Sequence, residues 1–155
     1  MNCEWSIERV EAVETYPLRQ RILRPGRPPE DAVFAGDGDA DTIHIALRLN
    51  GNITGVVSLF RRAHHEATDT EAYQLRGMAM DAGFRGLGLG TQLMLSSVSH
   101  VLDRKGGRIW CNARMGAVRF YALHGFRAVG EEFDIAGIGP HRMMVLELKA
   151  GRREG

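Results

Sequence analysis

The fold is decided by the stretch GFRGLGLG at residues 83–90, which runs directly into TQLMLSSVSHVLDRK at residues 91–105. Its glycines let successive backbone N–H groups approach an anion, because no Cβ atoms stand in the way. Residues 91–105, which follow the turn, predict a helix. One face of this helix would be formed by Leu93, Met94, Ser97, Val98, Val101 and Leu102. Since the amino-terminal end of a helix attracts negative charge, this turn predicts a pyrophosphate-binding site.

The glycine-rich turn also has other interpretations. Glycines join many strands to helices as plain connectors. A dinucleotide-binding fold needs GxGxxG with a later acidic residue, and a P-loop needs GxxxxGK followed by Ser or Thr; residues 83–91 match neither pattern. A plain connector, or a protein that binds a different nucleotide pyrophosphate, therefore stays a rival interpretation.

Upstream of the turn, the sequence predicts a strand, a helix and a long loop. WSIERV at residues 5–10 predicts the strand, and residues 11–23 predict a helix that begins late, because Pro17 fits only near a helix start. Prolines and glycines exclude regular structure over residues 24–41. This loop carries the carboxylates Glu30, Asp31, Asp37, Asp39 and Asp41. It is either a solvated surface loop or an acidic wall that favours a cationic acceptor.

A hairpin and a further strand connect this loop to the glycine-rich turn. Residues 42–49 and 53–60 predict its two strands, and Asn50-Gly51-Asn52 supplies a turn that tolerates positive φ. AYQLRGMAM at residues 72–80 predicts the strand that enters the glycine-rich turn.

Downstream of the helix at residues 91–105, the sequence predicts a strand, a short helix closed by Gly125 and two final strands. They cover residues 108–113, 117–124, 127–134 and 142–149. Alternating elements of this kind predict one α/β (α+β) domain over residues 1–149, with a disordered tail at residues 150–155.

Composition excludes several classes of protein. Lys and Arg total 20 against 19 Asp and Glu, and a net charge of +1 gives no basic footprint for nucleic acid. No apolar run approaches the about 18–20 residues that span a bilayer, and the acidic amino terminus lacks a signal-peptide core. Cys3 and Cys111 form neither a disulfide framework nor a metal-ligand spacing. A cytoplasmic protein without a metal, membrane or nucleic-acid partner is expected.

Two motifs together resemble the GNAT superfamily of N-acetyltransferases. Arg85, Gly88 and Gly90 match its R-x-x-G-x-G acetyl-CoA loop, and residues 117–126 match its A-x-x-F-Y-x-x-x-G-F signature. The resemblance is strong over residues 74–126 and elsewhere rests on element order. It implies a central mixed, mostly antiparallel sheet flanked by helices, with a splayed pair of strands that receives the coenzyme.

The resemblance implies a set of residues that bind acetyl-CoA as co-substrate. The strand before the loop would hydrogen-bond pantetheine through its main chain, and backbone N–H groups of the loop would hold the pyrophosphate. These positions are Met78, Ala79, Met80, Arg85, Gly86, Leu87, Gly88, Leu89, Gly90 and Thr91. Many members carry Asn three residues before the Ala of the second signature, where this chain has Arg114. Arg114 is therefore either a donor to the coenzyme or a surface charge, and neighbouring Asn112 is a second candidate.

The resemblance also implies the chemistry. The tyrosine of the second signature maps to Tyr121, which would act as general acid toward the departing thiolate. The alternative is that Tyr121 is a core residue with a structural role only. An alkyl ammonium with a pKa near ~10.4 must first lose a proton. Glu71, His141 or water could accept it, and Glu71 and His141 each also have a structural explanation.

Two further features are better explained without a catalytic or metal-binding role. The side chains of His64-His65-Glu66 would point to opposite faces of an extended segment, so a solvated loop is favoured over a metal site. Cys111 lies on a predicted core strand, where a small buried side chain is favoured over an acetyl-cysteine intermediate.

The sequence thus predicts acetyl transfer from acetyl-CoA to a primary amine of a small molecule or protein, by direct attack in a ternary complex. The rival from another class is a non-catalytic acyl-CoA-binding sensor. The acceptor, the acyl range and the oligomeric state, including a homodimer, are left open.

Overall fold

The computed structural model describes residues 4–63, 71–84 and 86–148. Seven strands form one sheet in the order β1-β2-β3-β4-β5-β7-β6. The β4–β5 pair is parallel, whereas β1–β2, β2–β3, β5–β7 and β6–β7 are antiparallel. The strands are β1 Trp5–Arg9, β2 Ile43–Leu49, β3 Asn52–Arg61, β4 Ala72–Met80, β5 Arg108–Arg114, β6 Arg127–Ile135 and β7 Gly139–Glu147. The predicted mixed, mostly antiparallel sheet flanked by helices is confirmed.

Three α-helices lie among the described residues: α1 Ala12–Leu18, α2 Leu89–Asp103 and α3 Val118–Leu123. A π-helical turn at Arg19–Leu23 follows α1 directly. Short 3₁₀ turns lie at Pro29–Ala32, Ala82–Phe84 and Met115–Ala117. The long loop before β2 therefore holds one short turn, where the sequence predicted no regular structure. No helix in the described part of the chain has the length and apolar character needed to cross a membrane.

The prediction that the first helix begins late is wrong. Helix α1 begins at Ala12, because the Glu14 carboxylate accepts the Glu11 backbone N–H at 3.1 Å and so caps this end. Pro17 is the second-to-last residue of α1, and the π-helical turn takes over at Arg19. The missing N–H of the proline is thus confined to the carboxyl end of the helix.

The described residues divide into two compact units. The first comprises residues 4–60, 75–84 and 86–99, and its core includes Leu18, Ala46, Val56 and Ala79. The second comprises residues 61–63, 71–74 and 100–148, and its buried side chains include Ile109, Cys111, Tyr121, Phe126, Met144 and Val145. A single domain over residues 1–149 stays a prediction, and the tail at 150–155 lies outside the described residues.

Strand β4 changes face at Gly77. Arg76 lies over the ring of Phe60 on β3, with its Cζ 5.7 Å from the ring centroid. Ala79 belongs to the same buried cluster as Val56, which is four residues from Phe60 and so on the same face of β3. Residues three apart lie on opposite faces of a regular strand, so one extra residue is inserted between Arg76 and Ala79. Gly77, with φ +68°, is the residue that bulges.

Close packing explains why position 77 is glycine. A Cβ atom added there would lie 3.0 Å from the Phe34 ring and 3.1 Å from Arg19 Nε. A side chain would therefore have to displace two buried groups as well as adopt an unfavourable positive φ.

Candidate active site

The glycine-rich turn has an open, left-handed backbone. Gly86 and Gly88 adopt φ +81° and +80°, and a Cβ atom at either position would meet nothing within 4 Å. Helix α2 begins at Leu89, two residues earlier than predicted, so Leu89, Gly90 and Thr91 form its first turn. The N–H groups of a first helical turn have no partner within the helix. Gly86, Leu87 and Gly88 thus lead into a helix end suited to an anion; Arg85 lies outside the described residues.

The side chains at the end of β4 are used in packing. Ala79 is buried in the core of the first unit. Met80 packs on the opposite side, since a Cβ atom added at Gly55 would lie 2.7 Å from Met80 Sδ. The side chains of both residues are thus used in packing, which fits the prediction that Met78, Ala79 and Met80 would act through their backbone.

The pairing of β4 with β5 covers only the start of each strand. The parallel ladder joins Ala72, Tyr73 and Gln74 to Arg108, Ile109 and Trp110. Strand β4 continues to Met80, and β5 continues to Arg114. A short ladder of this kind is the pairing that the resemblance implied for these two strands.

Tyr121 is a buried aromatic residue of α3 in the second unit. Its ring meets those of Phe120 and Phe126 edge-on, at centroid distances of 5.4 Å and 5.2 Å. Burial raises the pKa of Tyr121, and neighbouring Cys111 raises it further. The hydroxyl is therefore protonated at neutral pH.

Cys111 is buried, at 2% exposed, on β5. Burial raises the pKa of its thiol well above the ordinary value. Since the thiolate is the nucleophilic form, this cysteine is unsuited to a covalent acetyl-enzyme step. The structure agrees with the small-buried-residue interpretation.

Asn112 and Arg114 share one face of β5. The Asn112 side-chain oxygen Oδ1 is buried and has no hydrogen-bond partner within the described residues. An orphaned acceptor of this kind fits an amide N–H of a ligand, because a buried polar atom left without a partner is costly. Arg114 is half-buried, and burial lowers its pKa from the ordinary value. It is a partly sheltered cation and not a fully exposed surface charge.

The two candidate bases differ in their surroundings. Arg61 donates from Nε to Glu71 Oε1 at 2.8 Å and from Nη2 to Oε2. The hydrogen bond from Arg61 lowers the pKa of the Glu71 carboxyl, aided by the charge of Arg61. An ion-paired carboxylate with a depressed pKa is a poor general base.

His141 is buried on β7, directly opposite Arg114 in the ladder with β5. Its Nδ1 lies 2.7 Å from the Gly139 carbonyl oxygen, and its ring stacks on Phe133 at 6.0 Å. Because a carbonyl oxygen only accepts, Nδ1 carries the hydrogen, and in the neutral ring Nε2 holds the lone pair. This arrangement suits a proton acceptor.

The sequence analysis missed a buried network in the first unit. Arg19, fully buried after α1, donates from Nη1 to Asp37 Oδ2 at 2.8 Å and from Nη2 to Oδ1 at 2.9 Å. Nη2 also donates to Ser58 Oγ, whose hydroxyl donates to His44 Nδ1 at 2.7 Å. His44 Nε2 then donates to the Asp37 carbonyl at 2.9 Å.

This network changes the interpretation of the acidic loop. Asp37 is buried and neutralised by Arg19, so it offers no open charge to a cationic acceptor. Asp31 pairs with Arg27 at 2.8 Å. The signal in the sequence was Arg19 itself, a charged residue between Leu18 and Ile22 on a predicted helix. The motif His64-His65-Glu66 lies outside the described residues.

The order of elements and the glycine-rich turn define an acyltransferase fold, and comparison with known families gives the same class. Residues 31–148 match the model of the acetyltransferase (GNAT) domain. The chain belongs to the GNAT family of acetyltransferases, as the two sequence motifs indicated.

Individual relatives support this assignment. The chain is 33% identical over 147 residues to the uncharacterized N-acetyltransferase YitI of Bacillus subtilis (strain 168), covering 94% of this chain and 98% of YitI. It is similar in fold to the crystal structure of Escherichia coli ElaA, with a TM-score of 0.75, 19% identity and coverage of 94% and 100%. A GNAT family acetyltransferase from Elizabethkingia anophelis with acetyl-CoA bound gives a TM-score of 0.67, 18% identity and coverage of 93% and 98%.

Proposed function

We propose that this protein transfers the acetyl group of acetyl-CoA to a primary amine of a small molecule or protein, by direct attack in a ternary complex. The observation that carries the proposal is the left-handed, unobstructed backbone at Gly86 and Gly88 at the start of α2. The similar E. anophelis structure holds acetyl-CoA, which supports the same co-substrate here.

Main-chain groups of the glycine-rich turn and of β4 bind the coenzyme in this proposal. N–H groups of Gly86–Thr91 bind the pyrophosphate, with Arg85 as the remaining loop candidate. The main chain of Met78–Met80 binds pantetheine, and one of its N–H groups stabilises negative charge on the thioester oxygen as the amine attacks. When bound, acetyl-CoA supplies the activated acetyl thioester.

The family resemblance also assigns roles to side chains of β5 and α3. Asn112 Oδ1, an acceptor without a partner in the described residues, accepts an amide N–H of the coenzyme. Arg114 is the charged candidate beside it. Tyr121 donates a hydrogen bond to the leaving sulfur. Full proton transfer from Tyr121 is uphill, because its raised pKa exceeds that of a thiol near ~8.5.

A base must remove the proton of the acceptor ammonium. His141 is the better supported candidate because its Nε2 holds a lone pair, whereas Glu71 is committed to Arg61. Deprotonation through water is the alternative. Replacing His141 with Gln tests the choice: loss of the acid limb of the kcat/KM pH profile supports His141, and an unchanged limb assigns the step to water.

Titration calorimetry with acetyl-CoA, beside coenzyme A, NAD and ATP, tests the coenzyme site. We expect heat of binding from the two coenzyme A species alone. An amine screen that follows release of free thiol then tests transfer. Acetyl-CoA binding without turnover would identify a sensor module, and failure to bind at millimolar concentration would remove the basis for catalysis.

A further inference from the structure

Two guanidinium groups lie over the ring of Phe34 in the first unit. Arg19 Cζ is 3.9 Å from the ring centroid, and Arg76 Cζ is 4.2 Å from it. A third cation, Arg24, has its Cζ 5.7 Å from the same centroid. Phe34 belongs to the loop between α1 and β2, whereas Arg76 belongs to β4.

Arg19 makes this ring a fixed platform. The Asp37 carboxylate binds the Arg19 guanidinium through two hydrogen bonds and also accepts the Phe34 backbone N–H at 2.8 Å. Arg19 Nη1 donates further to the Ala32 carbonyl at 2.8 Å. Hydrogen bonds from Arg19 and Phe34, with the charge of Arg19, outweigh burial and lower the pKa of Asp37. The loop around Phe34 is therefore anchored by buried, charge-assisted bonds.

Arg76 also lies over that ring and is half-buried. Stacking on Phe34, with Phe60 at 5.7 Å, restricts its planar guanidinium. A guanidinium has five N–H donors, so it can bind a carboxylate with two of them and keep other contacts. Arg76 directly precedes the Gly77 bulge, and Met78 follows two residues along the strand.

From this arrangement we infer that Arg76, held against Phe34, binds a carboxylate of the acceptor, so that the acceptor is an amine that also carries a carboxylate. Arg24 is the second cation near that group. The inference rests on the proposed amine acetylation. It replaces the expectation of a purely cationic acceptor, because the Asp37 carboxylate is bound by Arg19 through two hydrogen bonds.

Simple electrostatics favour this class of acceptor. An ammonium without a compensating negative group is repelled by the guanidinium of Arg76. A carboxylate on the acceptor offsets that repulsion and orients the amine. The nearby positive charge also lowers the pKa of the bound amine, which favours the neutral form needed for attack.

The test compares matched acceptors that differ by one carboxylate: L-phenylalanine with phenethylamine, L-lysine with cadaverine, and L-histidine with histamine. Release of free thiol from acetyl-CoA gives kcat and KM for wild type, R76A and R76K. We expect wild type to favour the carboxylate member of a pair. R76A should lower kcat/KM for that member by about 10–100-fold, mainly through its KM, and far less for the plain amine. R76K should give a kcat/KM for the carboxylate member between those of wild type and R76A.

R21A is the matched control, since Arg21 is an exposed arginine of the same unit that pairs with Asp81 at 3.0 Å. R21A should leave kcat/KM unchanged for both acceptors of each pair, and thermal melting of all variants checks that they are folded. Equal use of both members by wild type, or equal loss on both in R76A, would overturn the inference.

Failure of the proposed function leaves a different signature. If acetyl-CoA binds and no amine reacts, equilibrium dialysis with the same six compounds decides the inference alone. Binding of the carboxylate members that R76A abolishes would support it. Binding that ignores the carboxylate or Arg76, or no binding at all, would overturn it.

Discussion

The candidate residues of the two compact units offer different kinds of chemical group. Around the glycine-rich turn the groups offered to a ligand belong to the main chain, and the side chains of Ala79 and Met80 are used in packing. In the other unit the groups are side chains, with Tyr121 and Asn112 as the main examples. The first region should therefore respond to backbone conformation, and the second to the loss of single atoms.

Tyr121→Phe tests the side-chain half of this contrast and should have the largest effect. Removing the hydroxyl removes the hydrogen-bond donor to the leaving thiolate, so kcat should fall by about 10²–10³-fold. The KM for acetyl-CoA should stay within about twofold, as for a change without new packing. Steady-state thiol release measures both. Tyr73→Phe, at another buried tyrosine, is the control; a full kcat in Tyr121→Phe would leave Tyr121 as a core residue.

Asp37→Ala tests whether the first unit also depends on one side chain. It leaves the Arg19 guanidinium buried without its counter-ion, which should cost about 3–5 kcal/mol of unfolding free energy. Asp31→Ala breaks an exposed pair with Arg27 and should cost about 0–1 kcal/mol. Urea unfolding compares the two, and equal losses would show that the Arg19 network does not stabilise the fold.

The Asp37 carboxylate also predicts that the free energy of unfolding depends on pH. The folded pKa of Asp37 is lower than its ordinary value, so its stabilisation is present above about pH 4 and is lost as pH falls through the folded pKa. Wild type should lose this increment on acidification, whereas Asp37→Ala lacks it already. Unfolding curves between pH 7 and pH 3 should therefore converge for the two proteins.

Gly88→Ala tests the main-chain half of the contrast. The new Cβ meets open space but disfavours φ +80° by about 1–2 kcal/mol, so KM for acetyl-CoA should rise about 5–30-fold. Gly83→Ala is the matched control, because Gly83 also faces open space and has no positive φ. An identical KM in both variants would mean that the left-handed backbone is not needed for binding.

Glu71→Gln should have the smallest effect. The carboxylate is held by Arg61, so removing its charge should change kcat/KM by no more than about twofold and leave the pH profile intact. Rate measurements from pH 5.5 to 9 make the comparison. A lost acid limb in this variant would restore Glu71 as the base.

Local signals were sufficient to predict much of the fold. Asn50 and Gly51 adopt the positive φ values of 52° and 88° that the hairpin turn predicted, and α2 follows the glycine-rich turn. Strand ends were less certain: β7 begins at Gly139, three residues before its predicted start, because its ladder with β6 extends through Ile135 and Gly139.

The candidate site was predictable where its determinants are adjacent in sequence. The motifs around Gly88 and Tyr121 are of this kind. The platform around Phe34 is not, because it joins Arg19, Asp37 and Arg76, which are far apart along the chain. Only the fold brings such partners together, and the short-range periodicity of a sequence carries no information about them.

The bulge at Gly77 also affects how related sequences should be compared. The alternation of side chains between the two faces of β4 is inverted at Gly77. Even-numbered residues before it and even-numbered residues after it therefore lie on opposite faces. An alignment or design that treats residues 72–80 as an uninterrupted strand would assign Met78 and its successors to the wrong side of the sheet. Deleting Gly77 alone should remove the bulge and leave every later residue of the strand on its present face, whereas deleting a residue from the regular part of the strand would exchange the faces of the residues after it.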